Sequence, residues 1–327
     1  MAAVIAAPAS GSGKTLLSLA LLSWARSCNR TIQAFKVGPD YLDPQLLSMA
    51  SGRPCRNLDL NLCGDAWVKG AFHSYGGSCE LSLVEGVMGL FDGIGSSSRG
   101  STAAVAHWLG LPVILVVDAG GQAASLGALV RGFRDHDPQL NLAGVVLNRV
   151  SSQRHQDLLA DVLNSMGMPL LGCLPRSDLL SLPSRHLGLA PAHELANAKQ
   201  QCAAWASLAE EHLDMENLAP LLKAPEPGPN PLGDRIANHS GELPVAVASD
   251  AAFHFRYAET AELLERNGMP IVGWSPLSDE PIPEQARGLI LPGGFPEQHA
   301  AQLSSCNRSL RSLRQFVAQR PVYAECG

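Results

Sequence analysis

Short runs of consecutive apolar residues alternate with longer stretches whose apolar positions recur at helical spacing. Residues 2–7 form the first run. The loop Pro8-Ala9-Ser10-Gly11-Ser12-Gly13-Lys14-Thr15 follows, and then a helix-forming stretch at 16–22. Further runs rich in Val, Ile and Leu lie at 31–37, 80–85, 112–118, 142–148 and 169–174. Apolar residues at nearly every position, not every second one, predict strands buried on both faces of a parallel sheet. The intervening segments are long enough for crossover helices. The pattern therefore predicts a doubly wound α/β domain with its ligands at the carboxyl ends of the strands.

A helix is expected over 193–213. Beyond it, Pro220, Pro225, Pro227, Pro229 and Pro231 crowd into twelve residues, which predicts an extended, semi-rigid linker. A second β/α series follows, with strands at 243–248, 269–274 and 288–291, helices at 257–266 and 309–319, and a last strand at 321–327. The expected division is 1–218 for the first domain, 219–242 for the linker and 243–327 for the second domain. A doubly wound domain is not expected to finish on a strand, so the second domain reads as incomplete, part of a longer or split protein.

Composition narrows the picture. A length of 327 residues suits about two domains. A net charge of −6 and 5% aromatic residues give no support to a nucleic-acid surface or to base stacking. The eight cysteines are scattered without a C-x-x-C pair, which reads as reduced thiols in the cytoplasm. There is neither a signal-peptide pattern nor an apolar run of membrane-spanning length. The expected partners are small molecules, not nucleic acid or membrane, with a homodimer left open.

The chemistry-bearing residues cluster where strands should end. Strand, Gly-Ser-Gly-Lys-Thr and helix is the context of a phosphate-binding loop, although the usual first glycine is replaced by Pro8. Ser10, Gly11, Ser12 and Gly13 would cradle the phosphates of a nucleotide with backbone N–H groups. Lys14 would sit on the outer phosphates and Thr15 would hold Mg²⁺. After the second strand comes Lys36-Val37-Gly38-Pro39-Asp40-Tyr41-Leu42-Asp43-Pro44. Lys36 is expected to neutralise phosphate or a substrate carboxylate, Asp40 to help bind Mg²⁺, and Asp43 to cap a helix beginning near Pro44. In Val84-Glu85-Gly86-Val87-Met88-Gly89-Leu90-Phe91-Asp92-Gly93, Glu85 is the main Mg²⁺ candidate, and Asp92 is either a site residue or a turn former. Asn148 is read as a contact for the adenine edge or a turn residue, and Arg176 as a phosphate contact or a solvent-facing residue. Near the end of the chain, Glu325-Cys326-Gly327 after a strand has the layout of a nucleophile elbow, with Gly293 and Gly294 as oxyanion-hole donors.

These motifs, in order over the whole chain, resemble the cobyrinic acid a,c-diamide synthase family. The resemblance implies a dethiobiotin-synthetase-like or MinD-like ATPase domain joined to a flavodoxin-like class I glutamine amidotransferase domain, here truncated. It implies ATP and Mg²⁺ as cofactors, with a corrinoid (cobyrinic acid) and glutamine or ammonia as substrates. The a and c carboxylates would be amidated through an acyl phosphate, in cobalamin biosynthesis. It also implies Lys14, Lys36 and Cys326 as catalytic groups, and Asp40, Tyr41, Asp43 and Asp92 near the substrate. The family's catalytic histidine follows the nucleophile, and no histidine follows Cys326 here. The expectation is a chain that uses ammonia but hydrolyses glutamine poorly. Rival readings are a sister enzyme acting on hydrogenobyrinic acid or nickel-sirohydrochlorin, cobyric acid synthase, a ParA/MinD-like switch, and a non-catalytic subunit. The switch would carry a lysine where Ala9 stands.

Overall fold

The computed structural model describes residues 2–176, 184–185, 188–189, 195, 197–233 and 242–326. Two compact units divide the chain, Met1–Pro231 and Leu232–Gly327.

In the first unit the strands are β1 (Ala3–Ala6), β2 (Ile32–Val37), β3 (Arg56–Leu58), β4 (Leu81–Glu85), β5 (Val113–Asp118), β6 (Leu142–Val150) and β7 (Leu170–Pro175). They form one sheet in the order β3-β2-β4-β1-β5-β6-β7, parallel at each pairing. The helices are α1 (Lys14–Ser27), α2 (Asp43–Ser51), α3 (Gly64–Ala71), α4 (Thr102–Leu109), α5 (Ser125–His136) and α6 (Gln153–Asn164). After a short hairpin, β8 (Ser184–Arg185) with β9 (Gly188–Leu189), come α7 (Ala198–His212) and α8 (Met215–Leu221).

Strand β1 shows why its sequence is apolar throughout. Ala2, Val4 and Ala6 enter a core shared with Val68, Val105, Val130 and Leu159 of α3–α6. Ala3, Ile5 and Ala7 enter the opposite core, with Leu17 and Leu21 of α1, Leu47 of α2 and Trp205 of α7. Both faces are covered, so alternation is lost, as a doubly wound sheet requires. Burying a side chain such as Ile5 or Leu17 stabilises the fold by about 1.5–3 kcal/mol.

Strand β3 was not expected. Its three residues, Arg56-Asn57-Leu58, are too short and polar to give a pattern. Helix α7 lies inside the helix expected over 193–213; residues 193, 194 and 196 fall outside the described set. The proline-rich stretch is not a free spacer where it is described. Leu218 and Leu222 are fully buried, Ser82 N donates to Leu222 O, and Ala224 N donates to Glu80 O. Backbone hydrogen bonds to β4 thus hold the stretch against the first unit, which extends to Pro231. Residues 234–241 and Gly327 lie outside the described residues.

The second unit has β10 (Val245–Ala248), β11 (Ile271–Trp274), β12 (Gly288–Leu291) and β13 (Val322–Ala324), with α9 (Ala258–Arg266), α10 (Ala300–Ser305) and α11 (Asn307–Val317). Its sheet is parallel in the order β11-β10-β12-β13. Ala246, Trp274, Leu289 and Phe316 lie in its core. Among the described residues, no helix is long and apolar enough to cross a membrane.

Candidate functional site

The carboxyl ends of β1, β2 and β4 meet where the glycine-rich loop enters α1. Gly11 and Gly13 have φ of +80° and +114°, conformations open mainly to glycine. A Cβ on Gly13 would also fall 2.3 Å from Asn148 Nδ2. No side chain caps α1, so its first-turn N–H groups, which have no intrahelical partners, are left available to an anion.

Beneath this loop lies a buried charge cluster. Register pairs Lys36 with Glu85 across β2 and β4, and Ile5 with Glu85 across β1 and β4. Lys36 Nζ donates to Asp43 Oδ2 at 2.5 Å, to Glu85 Oε1 at 2.8 Å and to Gly86 O at 3.1 Å. Asp40 Oδ2 stands 3.8 Å away. Thr15 Oγ1 donates to the same Glu85 Oε1 at 3.0 Å. Burial opposes the Lys36 charge, but Glu85, Asp43 and Asp40 outweigh it and hold the ammonium above its ordinary range. Burial pushes Glu85 up against the pull of Lys36, and burial likewise raises Asp40. Burial also disfavours the Asp43 charge, but the adjacent Lys36 prevails and holds that carboxyl below its ordinary range.

This arrangement bears on three expectations. Lys36 has three N–H donors, and in this structure they go to Asp43, Glu85 and Gly86, so here it positions acids. Asp40 and Asp43 exchange roles. Asp40 Oδ1 accepts from Leu42 N at 2.8 Å and Asp43 N at 3.1 Å, making the turn into α2, while Asp43 faces Lys36. A carboxylate two residues before a turn accepts those N–H groups readily, which leaves Asp43 free to rotate inward. Asn148 spends its amide on the loop itself: Nδ2 donates to Ser12 O at 2.9 Å and Oδ1 accepts from Arg149 N. It is therefore a brace for the loop in this structure, not an open reader of a base edge.

Other expected residues fall at or away from this edge. Lys14 Nζ donates to Met88 O at 2.5 Å, and burial, with Lys36 second, lowers its pKa. Asp92 Oδ2 accepts from Gly89 N and so shapes the turn after β4. Tyr41 sits half-buried just before α2, and its carbonyl accepts from Gln45 Nε2. Ser10 and Gly11 are exposed at the loop tip. Arg176 is exposed just after β7, and its backbone N–H donates to Val150 O.

The structure adds residues that the sequence did not single out. Met88, with φ of +46°, presents the carbonyl that holds Lys14. Asn57, on the unexpected β3, donates to Gly38 O and Asp40 O and fixes that loop. Thr102 Oγ1 bonds both the N–H and the carbonyl of Val87. Neither periodicity nor motif marks Asn57 and Thr102, because each acts on the backbone of another segment, and Met88, although inside a motif, acts through a carbonyl that any residue would supply.

The residues fit a nucleotide with Mg²⁺. Glu85 Oε2 is buried and has no hydrogen-bond partner among the described residues. The acids near Lys36 outnumber the adjacent ammonium groups. Thr15 and Glu85 are in contact, as a shared Mg²⁺ ligand pair needs, whereas Asp40 joins them only through Lys36. No group of three His, Cys, Asp or Glu is arranged to hold a metal among the described residues. Mg²⁺ commonly takes one or two protein oxygens and completes its shell from phosphates and water.

In the second unit, Cys326 has φ of +68° and is exposed. That left-handed geometry is strained in a non-glycine residue. Gly293 adjoins it: a Cβ there would lie 3.3 Å from Cys326 Sγ and 3.2 Å from Phe255 Cδ2. Gly293 O accepts from Phe255 N, and a Cβ on Gly294 would strike Ala252 O.

Comparisons with known proteins agree with this architecture. Residues 3–189 match the CobQ/CobB/MinD/ParA nucleotide binding domain, and residues 244–327 match the CobB/CobQ-like glutamine amidotransferase domain. Cobyrinate a,c-diamide synthase from Synechocystis sp. is 42% identical over 100% of this chain and 69% of that protein. The Gloeobacter violaceus protein of the same name is 43% identical over 100% of this chain and 72% of that protein. Hydrogenobyrinate a,c-diamide synthase from Streptomyces coelicolor is 40% identical over 99% of this chain and 74% of that protein. The chain belongs to the cobyrinate a,c-diamide synthase family.

Proposed function

We propose that this protein uses ATP to convert the a and c carboxylates of cobyrinic acid into amides, with nitrogen from glutamine or ammonia, in the formation of cobalamin. The observation that carries this reading is the contact chain Thr15–Glu85–Lys36–Asp43 beneath the phosphate-binding loop.

A carboxylate oxygen of the corrinoid attacks the γ-phosphorus of ATP, and ADP departs. The product is an acyl phosphate. Ammonia then attacks the acyl carbon, phosphate leaves, and the nitrogen gives up a proton to form the amide. Lys14, transferred from Met88 O to the outer phosphates, and the α1 N-terminus stabilise the charge that develops on the phosphoryl oxygens. Thr15 and Glu85 would hold Mg²⁺, which supplies further neutralisation of phosphate charge. Lys36 holds the Asp43 carboxyl below its ordinary range and fixes both Asp43 and Glu85 in direction. Tyr41, Asp40 and Asp92, on loops at the same edge, are the residues that we assign to the acceptor side. In the second unit Cys326 is the group that would attack the amide carbon of glutamine, releasing ammonia and then glutamate as water resolves the thioester, a half-reaction expected to run poorly beside the use of free ammonia. Gly293 and Gly294 flank that carbonyl.

The test offers cobyrinic acid, hydrogenobyrinic acid and nickel-sirohydrochlorin in parallel, each with ATP, Mg²⁺ and ammonium. Product is read by mass spectrometry and ADP by a coupled assay. Diamide from cobyrinic acid is the expected outcome. Diamide from hydrogenobyrinic acid alone would move the reading to the sister substrate, and no acceptor-dependent ADP with any of the three would end it.

A further inference from the structure

A cleft between three helices of the first unit gathers positive charge and holds no acid to answer it. It lies where the second half of α1 meets the last turns of α2 and the first turns of α7, and it encloses about 380 Å³. That volume falls within the range of small-molecule sites. Met49, Cys202, Ala203 and Ala206 give it apolar walls, and the small side chains of α7 leave the space open. Among the described residues, no aspartate or glutamate lines it.

Three sources of positive potential converge there. Arg26 Nη1 donates to Met49 O at 2.9 Å and to Ala50 O at 3.3 Å, which fixes the guanidinium across the end of α2. Its Nε and Nη2 donate to nothing among the described residues. The second source is the start of α7. Asn197, with φ of +58°, provides no side-chain cap, and the first turn contains no acid. The N–H groups of Ala198, Lys199 and Gln200 have no acceptor among the described residues. A helix start favours negative charge, yet the third source, Lys199, adds a positive one in that same turn.

An independent observation points into the same space. Ser23 is 4% exposed, lines the cleft, and its Oγ has no hydrogen-bond partner among the described residues. A serine inside a helix can turn its hydroxyl back to the preceding turn, as Ser27 does by donating to Trp24 O. Ser23 does not, and a buried hydroxyl left unpaired is unfavourable. A guanidinium, an ammonium and a hydroxyl around one point suit a single carboxylate. The apolar walls suit a hydrocarbon body and offer little to a sugar or a polyphosphate.

We propose that this cleft binds a carboxylic acid with an apolar body. Arg26, Lys199 and Ser23 Oγ receive the carboxylate at the start of α7, and the walls of α2 and α7 cover the rest. The site is separate from the phosphate-binding loop, because α1 rises roughly 13 Å from Lys14 to Ser23, and it stands whether or not that loop holds ATP.

Three probes separate charge from shape: 2-naphthoate, the uncharged 2-naphthamide, and acetate, which has the charge without the body. Saturation-transfer NMR titrations use the full chain with ATP and Mg²⁺ present, so that the probes do not report on the nucleotide site. We expect 2-naphthoate to bind with a Kd of roughly 1 mM or tighter, and both other probes at least about tenfold more weakly. Ala203→Phe fills the cleft and should abolish binding. Arg26→Gln combined with Lys199→Gln should weaken 2-naphthoate at least about tenfold. Ser23→Ala should weaken it about threefold to tenfold while leaving the urea midpoint of the free protein unchanged or raised, since it deletes an unpaired hydroxyl. A merely structural serine would not give those two effects together. Urea midpoints show which variants are folded, and the Arg26/Lys199 pair and Ser23→Ala carry the test if Ala203→Phe is not. No binding of 2-naphthoate, equal binding of 2-naphthamide, or 2-naphthoate affinity untouched in the folded variants would overturn the assignment.

Discussion

Replacing Lys36 by Met removes one ammonium and strands two buried carboxylates. Glu85 is fully buried and Asp43 largely so, and both lean on Lys36 Nζ at 2.8 and 2.5 Å. Breaking a buried pair by deleting one partner costs about 3–5 kcal/mol, because the remaining charge is left without compensation. Total stability of a domain is about 5–15 kcal/mol, so the loss is large without being certain to unfold the unit. Four of the five tryptophans, Trp24, Trp67, Trp108 and Trp205, lie in the first unit, so urea unfolding followed by tryptophan fluorescence mainly reports that unit. The pH dependence carries the mechanism. Lys36 has a folded pKa above its unfolded value; its contribution is complete below about pH 10.4 and fades only above it. Asp43 has a folded pKa below its unfolded value; its contribution is present above about pH 3.9 and is lost as pH falls through the folded value. In Lys36→Met the stranded acids take up protons more readily, so the deficit against the parent should shrink from about pH 7 to about pH 5. Adding Glu85→Gln should recover part of the loss. A deficit below about 0.5 kcal/mol at neutral pH, or one that widens on acidification, would refute the account of this cluster.

Four further substitutions test the same site from different sides. Glu85→Gln is expected to cut kcat for ammonia-dependent amidation by about a hundredfold or more, measured as acceptor-dependent ADP, because it removes the carboxylate that would hold Mg²⁺ with Thr15. Gly13→Ala meets both the φ of +114° and the Asn148 amide, so ATP affinity should fall more than tenfold in calorimetry, by about 2 kcal/mol. Asp40→Asn keeps an acceptor oxygen for the α2 turn and should cost under about 1 kcal/mol in urea unfolding, whereas Asp43→Asn breaks the Lys36 pair and should cost more than that. Cys326→Ser should abolish alkylation by iodoacetamide at that residue, read by peptide mass mapping, while ammonia-dependent amidation stays within about twofold of the parent.

The long apolar strands, the loop that enters α1, and the two segments that return acids to the same edge were legible in the order of residues alone. Those features are local: strand burial on two faces erases alternation, and a glycine-rich turn before a helix needs no distant partner to be recognised. The sequence also pointed to Cys326 and to Gly293, whose neighbourhood depends on β12 and β13 pairing in parallel. The sequence could not say which oxygen meets which nitrogen. Asp40 and Asp43 are three residues apart and chemically alike, and only the path of the chain into α2 turns one to the backbone and the other to Lys36. Lys36 and Glu85 are 49 residues apart; they meet because β4 inserts between β2 and β1 in a register that sets them side by side. Asn148 and Ser12 are 136 apart, and their hydrogen bond exists because β6 ends beside the loop. Tertiary structure decides such pairings because a hydrogen bond depends on a few ångströms of separation, and strand order sets that separation where sequence distance does not.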